Sequence, residues 1–143
     1  MEDERIKYDD LTDEQKSAIT NGCGNKKFLV KPPDYIFEEF CKKHDFRYYR
    51  GKGPSITSWR FWMSPFRYLA EKRRDRLEAD VLFYSEMINC VNETFEHLPL
   101  KHEEYSIIAN RFFKAVRLFG WFFYNWFKEK DMKDLEKDIS EKE

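Results

Sequence analysis

The sequence predicts an all-α fold, with a short N-terminal helix, two long helices that carry the candidate site, and a long aromatic third helix. Three observations predict it. Phe37, Cys41, His44 and Tyr48 recur at helical spacing between a Pro32-Pro33 pair and Gly51. Leu77, Asp80, Tyr84, Met87 and Val91 track one side of a second helix, with Phe83 next to them, and Ile107, Ile108, Phe112, Val116 and Phe119 mark a third.

Taken in order, residues Met1 to Asp10 are mostly charged and are expected to be flexible. Thr12 followed by Gln15 reads as a capping box opening a helix through about Ile19, which Asn21-Gly22 stops. Gly22 to Lys31 has two glycines and no helical period, so a loop is expected there. Pro32 and Pro33 suit a helix start, and Asp34 places an anion where first-turn amides are unpaired. The central helix should therefore run from near Asp34 to Arg50, ending at Gly51. Asp45 is turned by about 100° from His44 on that helix.

Ser55 to Phe66 is expected to be a mobile connection, because Pro65 forbids one continuous helix and aromatics alternate with Arg60 and Arg67. Whether Trp59, Trp62 and Phe66 belong to the core or to an interface is open at this level. The second long helix should span Tyr68 to about Asn92, with Arg73, Arg74, Asp75 and Glu78 on a solvated face. Leu98-Pro99 breaks the chain, and the third helix should span roughly His102 to Lys128. Its second half, Leu118 to Phe127, is apolar all round, which implies burial on several sides or contact with a membrane or partner. Lys128 to Glu143 reads as a solvated helix extension or charged tail, leaving residues 11–127 as one domain.

A chain of 143 residues suits one domain with a sizeable core. Its formal net charge is -1 although 37% of residues are charged, so bulk attraction to nucleic acid is not expected. Aromatics reach 18% and concentrate in the second half, as a heavily aromatic core or as a surface that meets lipid. The charged start, Met1-Glu-Asp-Glu-Arg, lacks a secretion signal, and no stretch approaches the roughly 20 apolar residues needed to span a bilayer. A cytoplasmic protein, or one exported by a non-classical route, is the expectation. Three cysteines, Cys23, Cys41 and Cys90, are too few for a disulfide-dense scaffold.

His44 places a titratable imidazole where a core residue would be expected; alone it could equally be a hydrogen-bonded core histidine. A zinc site using Cys23, Cys41 and His44 would need Cys90, His97 or His102 without a recognisable spacing. The His-Asp dipeptide of metal-dependent phosphohydrolases needs an earlier histidine, and none precedes His44.

The order Asn21-Gly-Cys-Gly24, then Cys41-Lys-Lys-His-Asp-Phe-Arg-Tyr48, then Asp80 within Arg76-Leu-Glu-Ala-Asp-Val-Leu-Phe83 resembles the phospholipase A₂ superfamily, especially small cysteine-poor microbial and viral-type members. The resemblance covers roughly Leu11 to Val91. It implies antiparallel site helices, with His44 as general base, Asp80 holding the far side of the imidazole, and Tyr48 donating a hydrogen bond to Asp80. It also implies calcium held by Asp45 and the carbonyls of Gly22 and Gly24, an oxyanion contact from the Gly24 amide, and a Cys23–Cys41 disulfide if oxidised. The function implied is calcium-dependent hydrolysis of the sn-2 acyl ester of glycerophospholipids, with Trp59, Trp62 and Phe66 at the lipid interface. A non-catalytic membrane- or protein-binding module on the same fold is the alternative. Lys26 stands where the family's loop usually has a further glycine, and the aromatic third helix has no counterpart there.

Overall fold

Thr12 opens the first helix, α1 (Asp13–Ile19), by the reciprocal bonding its sequence predicts: the Gln15 amide donates to the Thr12 hydroxyl and the Thr12 amide to Gln15 Oε1. The computed structural model describes residues 6–20, 35–126, 129–130 and 132–141. Among these the secondary structure is entirely helical, so the all-α expectation holds. The Gly22–Lys31 loop and the Pro-Pro pair lie outside the described residues.

The central helix differs at its start. Tyr35–Phe37 form a 3₁₀ turn and the α-helix, α2, spans Glu38–Arg50. Its end agrees with the sequence, since Gly51 adopts φ 54° while its amide donates to the Arg47 carbonyl at 3.3 Å. The expected mobile connection contains a short helix, α3 (Trp59–Met63), capped by the Ser58 hydroxyl accepting from the Arg60 amide.

Proline placement explains the other boundary shifts. Pro65 opens α4 (Pro65–Thr94) and Pro99 opens α5 (Pro99–Trp126), so both helices begin earlier than expected. A proline lacks the amide that a first-turn residue leaves unpaired anyway, so it starts a helix as readily as it interrupts one.

The chain after Lys128 corrects the expectation of a solvated extension or tail. It folds into a separate helix, α6 (Met132–Ser140), whose Leu135 is 0% exposed against Tyr8, Leu11, Ile19 and Phe46. Tyr8 is itself buried within a 3₁₀ turn, Tyr8–Asp10, so the part of the N-terminus beyond residue 7 is also ordered against the body.

The main core joins α2, α4 and α5. Phe37, Cys41, Phe83, Met87, Val91 and Ala109 form its buried centre. Helix α4 lies antiparallel to α2, because Ile36 meets Cys90 at one end and Tyr48 meets Asp80 at the other. It is also antiparallel to α5, with Asp75 at Tyr124 and Asn92 at His102. The buried side of α4 departs from the expected stripe at its first half: Lys72 and Arg76 face inward while Leu77 is exposed.

Candidate active site

The helical spacing that brings Phe37, Cys41, His44 and Tyr48 to one side of α2 turns that side onto α4. His44 is 4% exposed and Asp80 is 0% exposed. His44 Nε2 lies 2.8 Å from Asp80 Oδ1, and the Tyr48 hydroxyl donates to the same oxygen at 2.6 Å. The three residues expected to work together are therefore in contact. Phe83 and Tyr48 flank the imidazole, with ring centroids 4.6 and 4.3 Å from it.

The other oxygen of Asp80 has a partner that sequence reasoning missed. Arg117 Nη1 of α5 donates to Asp80 Oδ2 at 2.9 Å. Arg76, buried on α4, donates to the Arg117 carbonyl at 3.2 Å. Arg117 sits between Val116 and Leu118 in an apolar run. A charge in an apolar helical stretch is the same signal that singled out Asp80, and it was available in the sequence.

Gly120 shapes the opposite wall. A methyl group on this glycine would lie 2.9 Å from Tyr48 Cε2 and closer still to the hydroxyl that holds Asp80. Tyr124, one turn further along α5, meets the Tyr48 ring at 5.1 Å in an edge arrangement. The third helix, which the sequence left unassigned, thus builds one side of the site.

Electrostatics follow from these contacts. Burial pushes the Asp80 carboxyl up, but hydrogen bonds from His44, Tyr48 and Arg117 outweigh it and hold it below its ordinary value. Burial, then the neighbouring Asp80 charge, drives the Tyr48 phenol upward, so it remains a protonated donor. A carboxylate accepting at Nε2 fixes the neutral imidazole with Nδ1 as its basic nitrogen. Among the described residues no hydrogen bond is made by Nδ1.

Asp45 follows His44 on α2 and is partly buried. Its carboxylate fits as one oxygen ligand for calcium. The remaining expected ligands, Gly22 and Gly24, with the Gly24 oxyanion amide, lie outside the described residues. Among the described residues no group of three or more His, Cys, Asp or Glu side chains is arranged to hold a metal. Cys41 is disulfide-bonded and Cys90 is a free thiol; Cys23, the expected partner of Cys41, is also outside the described residues. Trp59, Trp62 and Phe66 are exposed, while Phe61 between them is buried. Among the described residues no helix is long and apolar enough to cross a membrane.

Comparison with known proteins adds no relative. No family profile, curated protein or solved structure matches this chain.

Proposed function

We propose that this protein hydrolyses the sn-2 acyl ester of glycerophospholipids, with His44 as general base. The supporting observation is the His44 Nε2 to Asp80 Oδ1 contact of 2.8 Å, with no hydrogen bond to Nδ1 among the described residues. Nδ1 takes a proton from a water as its oxygen attacks the ester carbonyl, and the imidazolium then passes that proton to the departing lysophospholipid oxygen. Asp80 holds the tautomer and stabilises the imidazolium, as an acid does in a serine-hydrolase triad. Tyr48 and Arg117 hold Asp80. No covalent acyl-enzyme is required.

Calcium is part of this proposal. Asp45 with the carbonyls of Gly22 and Gly24 would hold it, and when bound it supplies positive charge beside the ester carbonyl.

One observation favours a second reading. The Arg117 guanidinium already compensates the Asp80 charge, which leaves less of it to stabilise an imidazolium. That suits a buried structural network in a phospholipase A₂-like binding module. Fatty-acid release from phospholipid vesicles decides between them. The catalytic reading predicts release that falls on chelation and drops by about 10²-fold or more in His44→Ala. Absence of release at every calcium concentration would leave the binding module.

A further inference from the structure

The exposed aromatic residues fall in two groups that the fold joins. Trp59, Trp62, Met63 and Phe66, on α3 and the start of α4, are 68–86% exposed. Leu118, Phe119, Trp121, Phe122, Phe123 and Trp126, on the distal half of α5, are 47–71% exposed. The Trp62 indole donates to the Ile56 carbonyl at 2.9 Å, and the Ile56 amide donates to the Asn125 carbonyl at 3.0 Å. The Ser55 hydroxyl donates to the Trp126 carbonyl. The 55–63 segment is thereby fastened beside the end of α5, and the two groups lie next to each other.

The charge on these segments is one-signed, although the chain as a whole is balanced. Lys52 to Arg74 holds six Lys or Arg against Glu71 alone, and Tyr105 to Trp126 holds Arg111, Lys114 and Arg117 with no acid. Lys72 is buried and Arg117 pairs with Asp80, which leaves Lys52, Arg60, Arg67, Arg73, Arg74, Arg111 and Lys114 against Glu71, a net +6 for the surface. Cations and apolar groups also alternate on single faces. Ile107, Arg111, Leu118 and Phe122 fall within about 60° of one another around α5, with Glu104 at the edge of the same sector one turn before Ile107, and all are exposed. Phe66, Arg73 and Leu77 do the same on α4.

We infer that this face docks on an anionic phospholipid bilayer. Tryptophan and aliphatic side chains enter the headgroup and acyl boundary while arginine and lysine meet the phosphates. A second copy of the chain fits poorly, because a two-fold contact would set one strongly positive surface against another. A single-stranded nucleic acid would use the aromatics and cations but not exposed Met63, Ile107 and Leu118, which have no base to stack on. The inference is independent of whether His44 turns over substrate.

All four tryptophans are on this face, at 72, 68, 49 and 49% exposed, so intrinsic fluorescence reads it selectively. The full chain is mixed with vesicles of phosphatidylcholine, with and without phosphatidylglycerol. A blue shift and co-sedimentation with the anionic vesicles, weakened by salt, are expected. Charge reversal by Arg111→Glu with Lys114→Glu should reduce partitioning by about tenfold or more, with an unchanged circular dichroism spectrum. His44→Ala should bind as wild type does, which separates docking from hydrolysis. Absence of a shift on anionic vesicles, or binding indifferent to the charge reversal, would overturn the inference. So would a shift produced by protein concentration alone, or by an oligonucleotide in preference to vesicles.

Discussion

At Asp80 burial and hydrogen bonding oppose each other, and the hydrogen bonds win. A carboxyl whose folded value is lowered adds stability that is present above its ordinary value of 3.8 and is lost as pH falls through the lowered one. Urea unfolding from neutral to strongly acidic pH should therefore show an acid decline that flattens in Asp80→Asn. Arg117→Leu removes the partner of Oδ2 and should destabilise by about 2–5 kcal/mol, with Arg117→Lys recovering part of the loss. Gly120→Ala drives a methyl into Tyr48 and should cost about 1–3 kcal/mol, read as a lowered urea midpoint. At Lys72 burial wins instead, and the window moves to alkaline pH. Burial pushes its ammonium down to about 8, so the unfolded chain holds more protons between that value and the ordinary 10.5, and stability should rise with pH across this window. Comparing Lys72→Met with wild type at neutral pH and just below pH 10 checks it, since only wild type should gain. His44, Asp80 and Tyr48 were legible because helical spacing and the motif order both pointed to them. Gly120 was not legible, because a glycine inside an apolar run gives no sign of which tyrosine comes against it.

The helices divide by how local their causes are. The Thr12–Gln15 box and the Gly51 stop depend on neighbours within one turn, and both formed as the sequence indicates. Pro65 and Pro99 were ambiguous, since the residue that ends one helix can be the first of the next. Helix α6 was missed for a different reason. Met132, Leu135 and Ile139 look isolated among charges, yet their three- and four-residue spacing marks a single stripe. The burial of Leu135, with Ile139 packed beside it, depends on Tyr8, Leu11 and Phe46, more than eighty residues away. Leu135→Ala should cost about 2–4 kcal/mol by leaving a cavity, and amide exchange in α1 should accelerate with it. If exchange in α1 is unchanged, α6 is not bracing the N-terminal segment.

At the scale of the whole molecule, three helices from separate parts of the chain meet at one carboxylate. His44 and Tyr48 come from α2, Asp80 from α4 and Arg117 from α5. The sequence could supply the first three as a pattern of kinds and order. It marked the fourth only as a charge in an apolar run and could not pair it, because nothing local ties residue 117 to residue 80. The same limit explains the charge distribution, which the net value of -1 conceals until the fold gathers the basic segments. The central claim is that the imidazole held by Asp80 deprotonates water for ester hydrolysis. Its most direct measurement is calcium-supplemented turnover of a phospholipid labelled in its sn-2 acyl chain by wild type, His44→Ala and Asp80→Asn, each confirmed folded by circular dichroism. The account predicts release of the labelled acid by wild type and a loss of about 10²-fold or more in both variants. Equal release by His44→Ala, or none by the folded wild-type protein, would contradict it.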